Sequence, residues 1–228
     1  QSTVGLSGGF GTVRFGRSTN PLANVVDNSD AFETTGISTV NTYAALPSSR
    51  QSNATYYKTP ASLGAFYAEA MYGIVDIGTS AAAGNAQTKN TGLSVGYKAG
   101  PLWAGAAMGT NEVSAGLLDG KNDGQAIGLS YDFGAAKLFV SFTKGRQQAN
   151  IAVNTYTDVS ESNLGIQVPV GAITLLAAIG RNSATDVAAG VEQTATTGSG
   201  ADWALGAYYN MSKRTTAYVK TGVFNKLD

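Results

Sequence analysis

The chain has 228 residues, 29 of them glycine, and 15 basic against 15 acidic side chains, so its formal net charge is zero. It contains no cysteine and no histidine, which excludes disulfide scaffolds, thiol nucleophiles, cysteine-bound metal and histidine-based acid–base chemistry. Balanced charge argues against nucleic-acid binding, which needs a basic excess, and 43% hydrophobic residues are too many for a disordered chain.

No apolar run reaches the ~20 residues of a membrane helix. The opening QSTVGL lacks a basic stretch followed by an apolar one, so no signal peptide is read there. Helical spacing is scarce, whereas period-two alternation runs through the whole chain. Val13 and Phe15 alternate with Arg14. Across Arg50–Lys58, an outward Tyr56 would send Thr55 and Tyr57 inward. Leu93, Val95 and Tyr97 alternate with Ser94, Gly96 and Lys98, and Ile127, Leu129 and Tyr131 with Gly128, Ser130 and Asp132. Leu138, Val140 and Phe142 stand against Lys137, Phe139 and Ser141. Leu164, Ile166 and Val168 stand against Gly165 and Gln167, and Trp203, Leu205 and Tyr209 against Ala204, Gly206 and Tyr208.

Six short connectors are read at Gly8–Gly11, Thr59–Gly64, Ala99–Leu102, Phe133–Ala136, Pro169–Ala172 and Asn210–Thr215. Five long polar ones interleave with them, at Ser18–Ser49, Gly73–Asn90, Thr110–Gly124, Gly145–Ser160 and Arg181–Ala201. They separate about twelve strands of roughly 8–12 residues. The polar face is mild and glycine-rich rather than heavily charged. This predicts an all-β fold: one transmembrane antiparallel up-and-down β-barrel spanning 1–228, apolar outside and polar within. A soluble β-sandwich or solenoid is the alternative. Tyr56, Tyr72, Tyr97, Trp103, Tyr131, Phe133, Trp203, Tyr209 and Phe224 fall near strand ends, as interfacial aromatic girdles do.

Motifs of chemistry are weak. Gly5–Gly9 and Gly92–Gly96 match G-x-S-x-G, but a nucleophile elbow needs a following helix and a histidine base. Asp119–Gly124 resembles the start of a calcium loop without its later glutamate. Asn53-Ala54-Thr55 and Asn210-Met211-Ser212 match glycosylation sequons by chance on strands. No catalytic residue, metal or cofactor is expected, and the protein reads as a non-enzyme. The first long connector is the most informative. It carries Asp27, Asp30 and Glu33, with Arg14 and Arg17 before it and Arg50 after it. Folded into a barrel, residues 18–49 would set carboxylates across the lumen from arginines, and opposed fixed charges filter ions. An ordinary exposed loop is the competing reading. Strand parity also sends Arg14, Glu69, Lys98, Asp132, Lys137 and Lys220 to the pore wall, whereas Arg17 has the opposite parity at a strand end.

QSTVGLSGGFGTVRFGR (Gln1–Arg17) strongly resembles two adjacent strands of Gram-negative general porins, nearest the β-proteobacterial branch. The turn Asn210–Thr215 resembles the same family's last periplasmic turn, and the meander between keeps its rhythm. The resemblance implies a sixteen-stranded barrel, a homotrimer in the outer membrane amid lipid and lipopolysaccharide. It implies a water-filled pore for passive diffusion of ions and small hydrophilic solutes. By the same implication Asp27, Asp30 and Glu33 form the acidic side of the constriction and Arg14, Arg17 and Arg50 the basic side. Counting inward basic residues against acidic ones gives a weak lean to anions. Twelve strands would fall short of that barrel, so the expectation is a piece of a longer chain, with strands before Gln1 and after Asp228. A barrel with a structural, adhesive or receptor role through its long loops is the alternative function.

Overall fold

The alternating segments join into one antiparallel sheet. A computed structural model describes residues 1–33, 47, 49–80, 84–114, 119–193 and 198–223. The strands are β1 (Ser2–Gly8), β2 (Gly11–Thr19), β3 (Arg50–Lys58), β4 (Phe66–Ser80), β5 (Gly84–Ala99), β6 (Leu102–Ser114) and β7 (Gly120–Asp132). They continue as β8 (Lys137–Asn150), β9 (Thr155–Val170), β10 (Ile173–Ala188), β11 (Val191–Glu192), β12 (Gly198–Ser212) and β13 (Thr215–Val223). Each long strand pairs with its sequence neighbour, and β11 is a two-residue strand on β10. This is an up-and-down meander, the connectivity of a transmembrane barrel.

The short connectors fall where alternation places them. Four of the five long connectors do not. β4 and β5 have 15 and 16 residues, and β9 and β10 have 16 each. These strands run well into the segments read as loops. There the alternation loses its contrast, with Ile74 and Val75 adjacent on β4 and Arg181, Asn182 and Ser183 all polar on β10, so the pairing persists after the pattern that announces it has ended.

Ser18–Ser49 is the exception, since it holds helix α1 (Pro21–Asn28). Pro21 stands in the first turn, where its missing N–H costs nothing. The Asn20 side chain caps the helix by accepting the Leu22 N–H at 2.9 Å. Leu22, Val25 and Val26 make one apolar side, and the Ser29 hydroxyl donates to the Val25 carbonyl at 2.9 Å to close the end. Eight residues are too few for a helical period to stand out in the sequence.

Pairing register sorts every strand into two faces. Outward stand Val95, Ile127, Leu129, Phe142, Leu164, Ile179 and Leu205, all exposed. A sheet apolar toward its surroundings is built for lipid. The opposite face is largely small and polar, and besides a small cluster of Ala54, Tyr56 and Met71 it buries apolar groups where residues 20–32 lie against it. Leu22, Val25 and Val26 pack on Trp103, Ala107 and Ala126, while Ala31 and Phe32 pack on Phe139, Leu176, Ala178 and Ala204.

Register also corrects the sequence reading of β3. Tyr56 lies opposite Arg14 and Met71 on the inner face and is buried, whereas Tyr57 lies opposite Val13 and Ala70. Tyr57 is therefore an outer-face residue, not pore wall, and its hydroxyl donates to the Phe10 carbonyl at 2.8 Å. Trp103 is likewise an inner-face residue rather than part of an outer girdle. Phe224 lies outside the described residues.

Candidate functional site

The loop lies in a track from which the wall withholds its side chains. A Cβ on Gly92 would sit 2.7 Å from Asn20 Oδ1, and one on Gly165 would sit 2.7 Å from the Ala31 Cβ. One on Gly206 would come within 3.0 Å of the Phe32 ring, and one on Gly128 would strike Ser29. These glycines stand on β5, β9, β12 and β7, so the loop crosses most of the sheet. Phe32 is 0% exposed at the far end. The Gln167 amide donates to the Ala31 carbonyl at 2.6 Å and pins the crossing midway.

Beside α1, toward the short turns, the wall and helix leave an open cavity of about 920 Å³. Arg14, Lys58, Tyr67, Glu69 and Lys98 line it from β2 to β5, and Asn24 and Asn28 line it from the helix. Lys58 Nζ lies 2.7 Å from Glu69 Oε1, and the Asn24 amide donates to Glu69 Oε2 at 3.0 Å. Glu69 thus ties two strands to the helix and has both oxygens engaged. Lys58 Nζ also stands 4.9 Å from the centre of the Tyr67 ring. The Tyr67 hydroxyl is held by the Trp103 indole N–H at 2.9 Å. The Arg14 guanidinium lies 5.6 Å from the Tyr56 ring, and the Tyr56 hydroxyl is 2.9 and 2.8 Å from the Ser18 and Gln51 carbonyls. Of the charged side chains on the cavity, Arg14, Lys58 and Lys98 are cationic and Glu69 anionic, three against one, an excess of two positive charges.

Arg14, Glu69 and Lys98 therefore meet on one cavity. Arg17 and Arg50 do not line it. Arg17 pairs across from Ser2 and donates to the Ser52 hydroxyl at 3.1 Å; Arg50 is exposed opposite Thr19. Between Gly16 and Ser18, β3 carries one extra residue, and Asn53 takes a left-handed φ of 50° there. The bulge turns Gln51, rather than Arg50, to the buried side.

Nor do the loop acids line the cavity. Asp27 is half-buried on α1. Asp30 is 2% exposed and its carboxylate accepts the Phe32 N–H at 3.0 Å, so it shapes the turn after the helix. Glu33 is exposed, with φ 53°. Residues 34–46 of the loop lie outside the described residues. Asp132 accepts the Gly134 N–H at 2.7 Å in a short turn. Lys137 Nζ stands 4.7 Å from the Phe139 ring, and Lys220 Nζ 5.6 Å from Phe32 on the inner face. Lys58, Tyr67 and Asn24 are the cavity residues that sequence reasoning missed. Taking Tyr56 as inward would have found Lys58 by parity. Among the described residues no group of acids is arranged to hold a metal ion.

Known proteins share this fold. A family profile described as Gram-negative porin matches residues 1–226. Outer membrane porin protein 32 of Delftia acidovorans is 31% identical over 96% of this chain and 61% of its own length. An anion-selective porin from Comamonas acidovorans superposes with a TM-score of 0.78 at 28% identity, covering 97% of this chain and 65% of that one. The trimer form of the Vibrio cholerae outer membrane protein OmpT has the same fold, with a TM-score of 0.73 at 17% identity over 97% of this chain and 68% of that one. The chain thus spans less than two thirds of the length of the first two. Alternating strands, a lipid-suited outer face, an inward loop and a family match over nearly every residue agree: the chain belongs to the Gram-negative porin family.

Proposed function

We propose that this outer-membrane chain supplies wall and constriction of a water-filled pore, through which ions and small hydrophilic solutes diffuse passively. The observation that carries this reading is the cavity beside α1, which the inner wall and the helix leave open and which Arg14, Lys58 and Lys98 make cationic. Diffusion requires no bond to form or break. The protein's contribution is a size limit set by the loop and a potential set by fixed charges. Arg14, Lys58 and Lys98 supply the positive side. Glu69, bound by Lys58 and Asn24, offsets only part of that charge. Asp27 and Glu33 stand on the loop outside this cavity, Asp30 shapes its turn, and Asp132, Lys137 and Lys220 lie further along the wall. The balance favours anions, in keeping with the anion-selective neighbour, and the Vibrio cholerae trimer supports a trimeric assembly.

Reversal potentials across planar bilayers test this. Arg14→Ala and Lys98→Ala should each move the preference toward cations, and the double variant further. The shifts should shrink between 0.1 and 1 M salt, as the screening length falls from ~10 to ~3 Å. Unchanged reversal potentials in the double variant at low salt would remove these residues from the selectivity filter.

A further inference from the structure

We propose that the inner wall carries a ladder of carboxamides, Asn111, Asn122 and Gln147, that binds neutral saccharides on their way to the constriction. The inference rests on the chain forming a pore and adds to it a site that charge does not define. Each of these side chains falls in a segment whose sequence reads as a polar connector, and only strand register brings them together. Asn90 on β5 pairs with Asn111 on β6, Asn111 with Asn122 on β7, and Asn122 with Gln147 on β8. The row continues through Thr157 on β9 to Asp186 on β10. Asn90 and Asn111 stand two residues from Gly92 and Gly109, which face Asn20 of the loop, so the row lies on the inner face. The row beneath it is Gly92, Gly109, Gly124, Gly145, Val159 and Ala184. That row projects little into the lumen, and at Gly92 the loop takes up the space with Asn20 and Pro21. The amides therefore form a rim on the long-connection side of the loop, the side that barrels of this kind turn to the cell exterior.

The donor set points to hydroxyl groups. Each carboxamide offers donors and an acceptor without net charge. At the end of the row the Asp186 carboxylate accepts the Thr157 hydroxyl and retains acceptor capacity for others. Neither this row nor the one beneath it holds a basic side chain, so the rim does not repeat the anion chemistry of the cavity beyond α1. Sugar hydroxyls both donate and accept, which amides and a carboxylate satisfy together. Neighbouring strands are spaced about 4.8 Å apart, so Asn111, Asn122 and Gln147 offer hydrogen bonds over about 10 Å, a length suited to a linear oligosaccharide rather than a single ring. All three are half-buried. Asn90 has a different part, as a positioning residue. It is 1% exposed, and its Oδ1 accepts the Asn111 amide at 2.6 Å while its own Nδ2 is buried without a partner. A buried donor left unsatisfied costs free energy, so packing alone does not explain an amide there. What it supplies is the orientation of Asn111, whose Oδ1 is left to accept from a solute.

The test is block of the ion current through the full-length protein in planar bilayers. Maltotriose is the probe, and a polyethylene glycol of equal hydrodynamic radius, whose chain accepts hydrogen bonds but does not donate them, controls for size. Maltotriose should half-block the current at a lower concentration than the polymer. Asn122→Ala and Gln147→Ala should each raise its half-blocking concentration about threefold, and the double variant about tenfold, as expected for one and two net hydrogen bonds. Block by the polymer should not move with them. If the double variant does not fold, the single variants carry the test. Equal block by the two probes would overturn the proposal, and so would wild-type block by maltotriose in the variants. Current steps without sugar test the pore separately. A silent wild-type barrel would overturn the pore reading and this one together, whereas a conducting pore with unselective block would overturn this one alone.

Discussion

The inner face of this sheet carries two surfaces of opposite character. Along the track from Gly92 to Gly206 the wall withdraws its side chains, and the loop supplies Leu22, Val25, Ala31 and Phe32. Around the cavity the roles reverse. The wall extends Arg14, Lys58, Tyr67 and Lys98, and the helix presents Asn24 and Asn28. Side-chain volume decides which region is dry, and charge collects in the one left wet. Glycines therefore place the loop, and the loop's position in turn decides which strand residues meet solutes.

Three substitutions probe that division, beginning with the largest. Phe32→Ala removes a wholly buried ring from the dry end of the track and should cost about 3–5 kcal/mol of loop docking. Protease cleavage within the loop should then become rapid; resistance equal to wild type would mean that the ring does not anchor it. Gly128→Val sets a branched side chain where Ser29 rests, an overpacking cost of about 1–3 kcal/mol. The loop should lift and single-channel conductance should rise. A value at or below wild type would show that the loop repacks in place. Glu69→Gln is the smallest change. The Lys58–Glu69 contact is half-exposed on the lysine side, so its loss should cost less than about 1 kcal/mol. Removing the negative charge should still shift the reversal potential toward anions, and a shift toward cations would contradict the charge balance assigned to the cavity.

Much of the fold was legible because lipid imposes a strict period. Alternation at Ile127–Tyr131 or Leu164–Val170 fixed both strand and face, and the short turns followed. Legibility failed where the period carries no contrast. β4 runs on through the adjacent Ile74 and Val75, and β5 begins in the mostly polar run Asn85–Asn90, so neither end shows a clean alternation and both read as loops. In β3 the adjacent Tyr56 and Tyr57 offer either parity, and the Asn53 bulge then resets the alternation before Arg50. The site was legible at Arg14, Glu69 and Lys98, which strand parity sends inward, but not in the loop acids, which do not line the cavity. Asp30 has the composition of a pore charge and the geometry of a turn former, and only its 3.0 Å hydrogen bond from the Phe32 N–H distinguishes the two.

The track also orders events in time. Each strand meets a partner close by in sequence, so hairpins can form one after another. Ala31, by contrast, bonds to Gln167, 136 residues away, and Phe32 rests on Gly206. Contacts that distant bear the greatest loop-closure entropy and have no surface to dock on until β5 to β12 are side by side. During refolding, Trp103 fluorescence, which reports the helix seat, should therefore change after the circular dichroism of the sheet. The barrel is assembled wide, and its narrowing is the last step of its own folding.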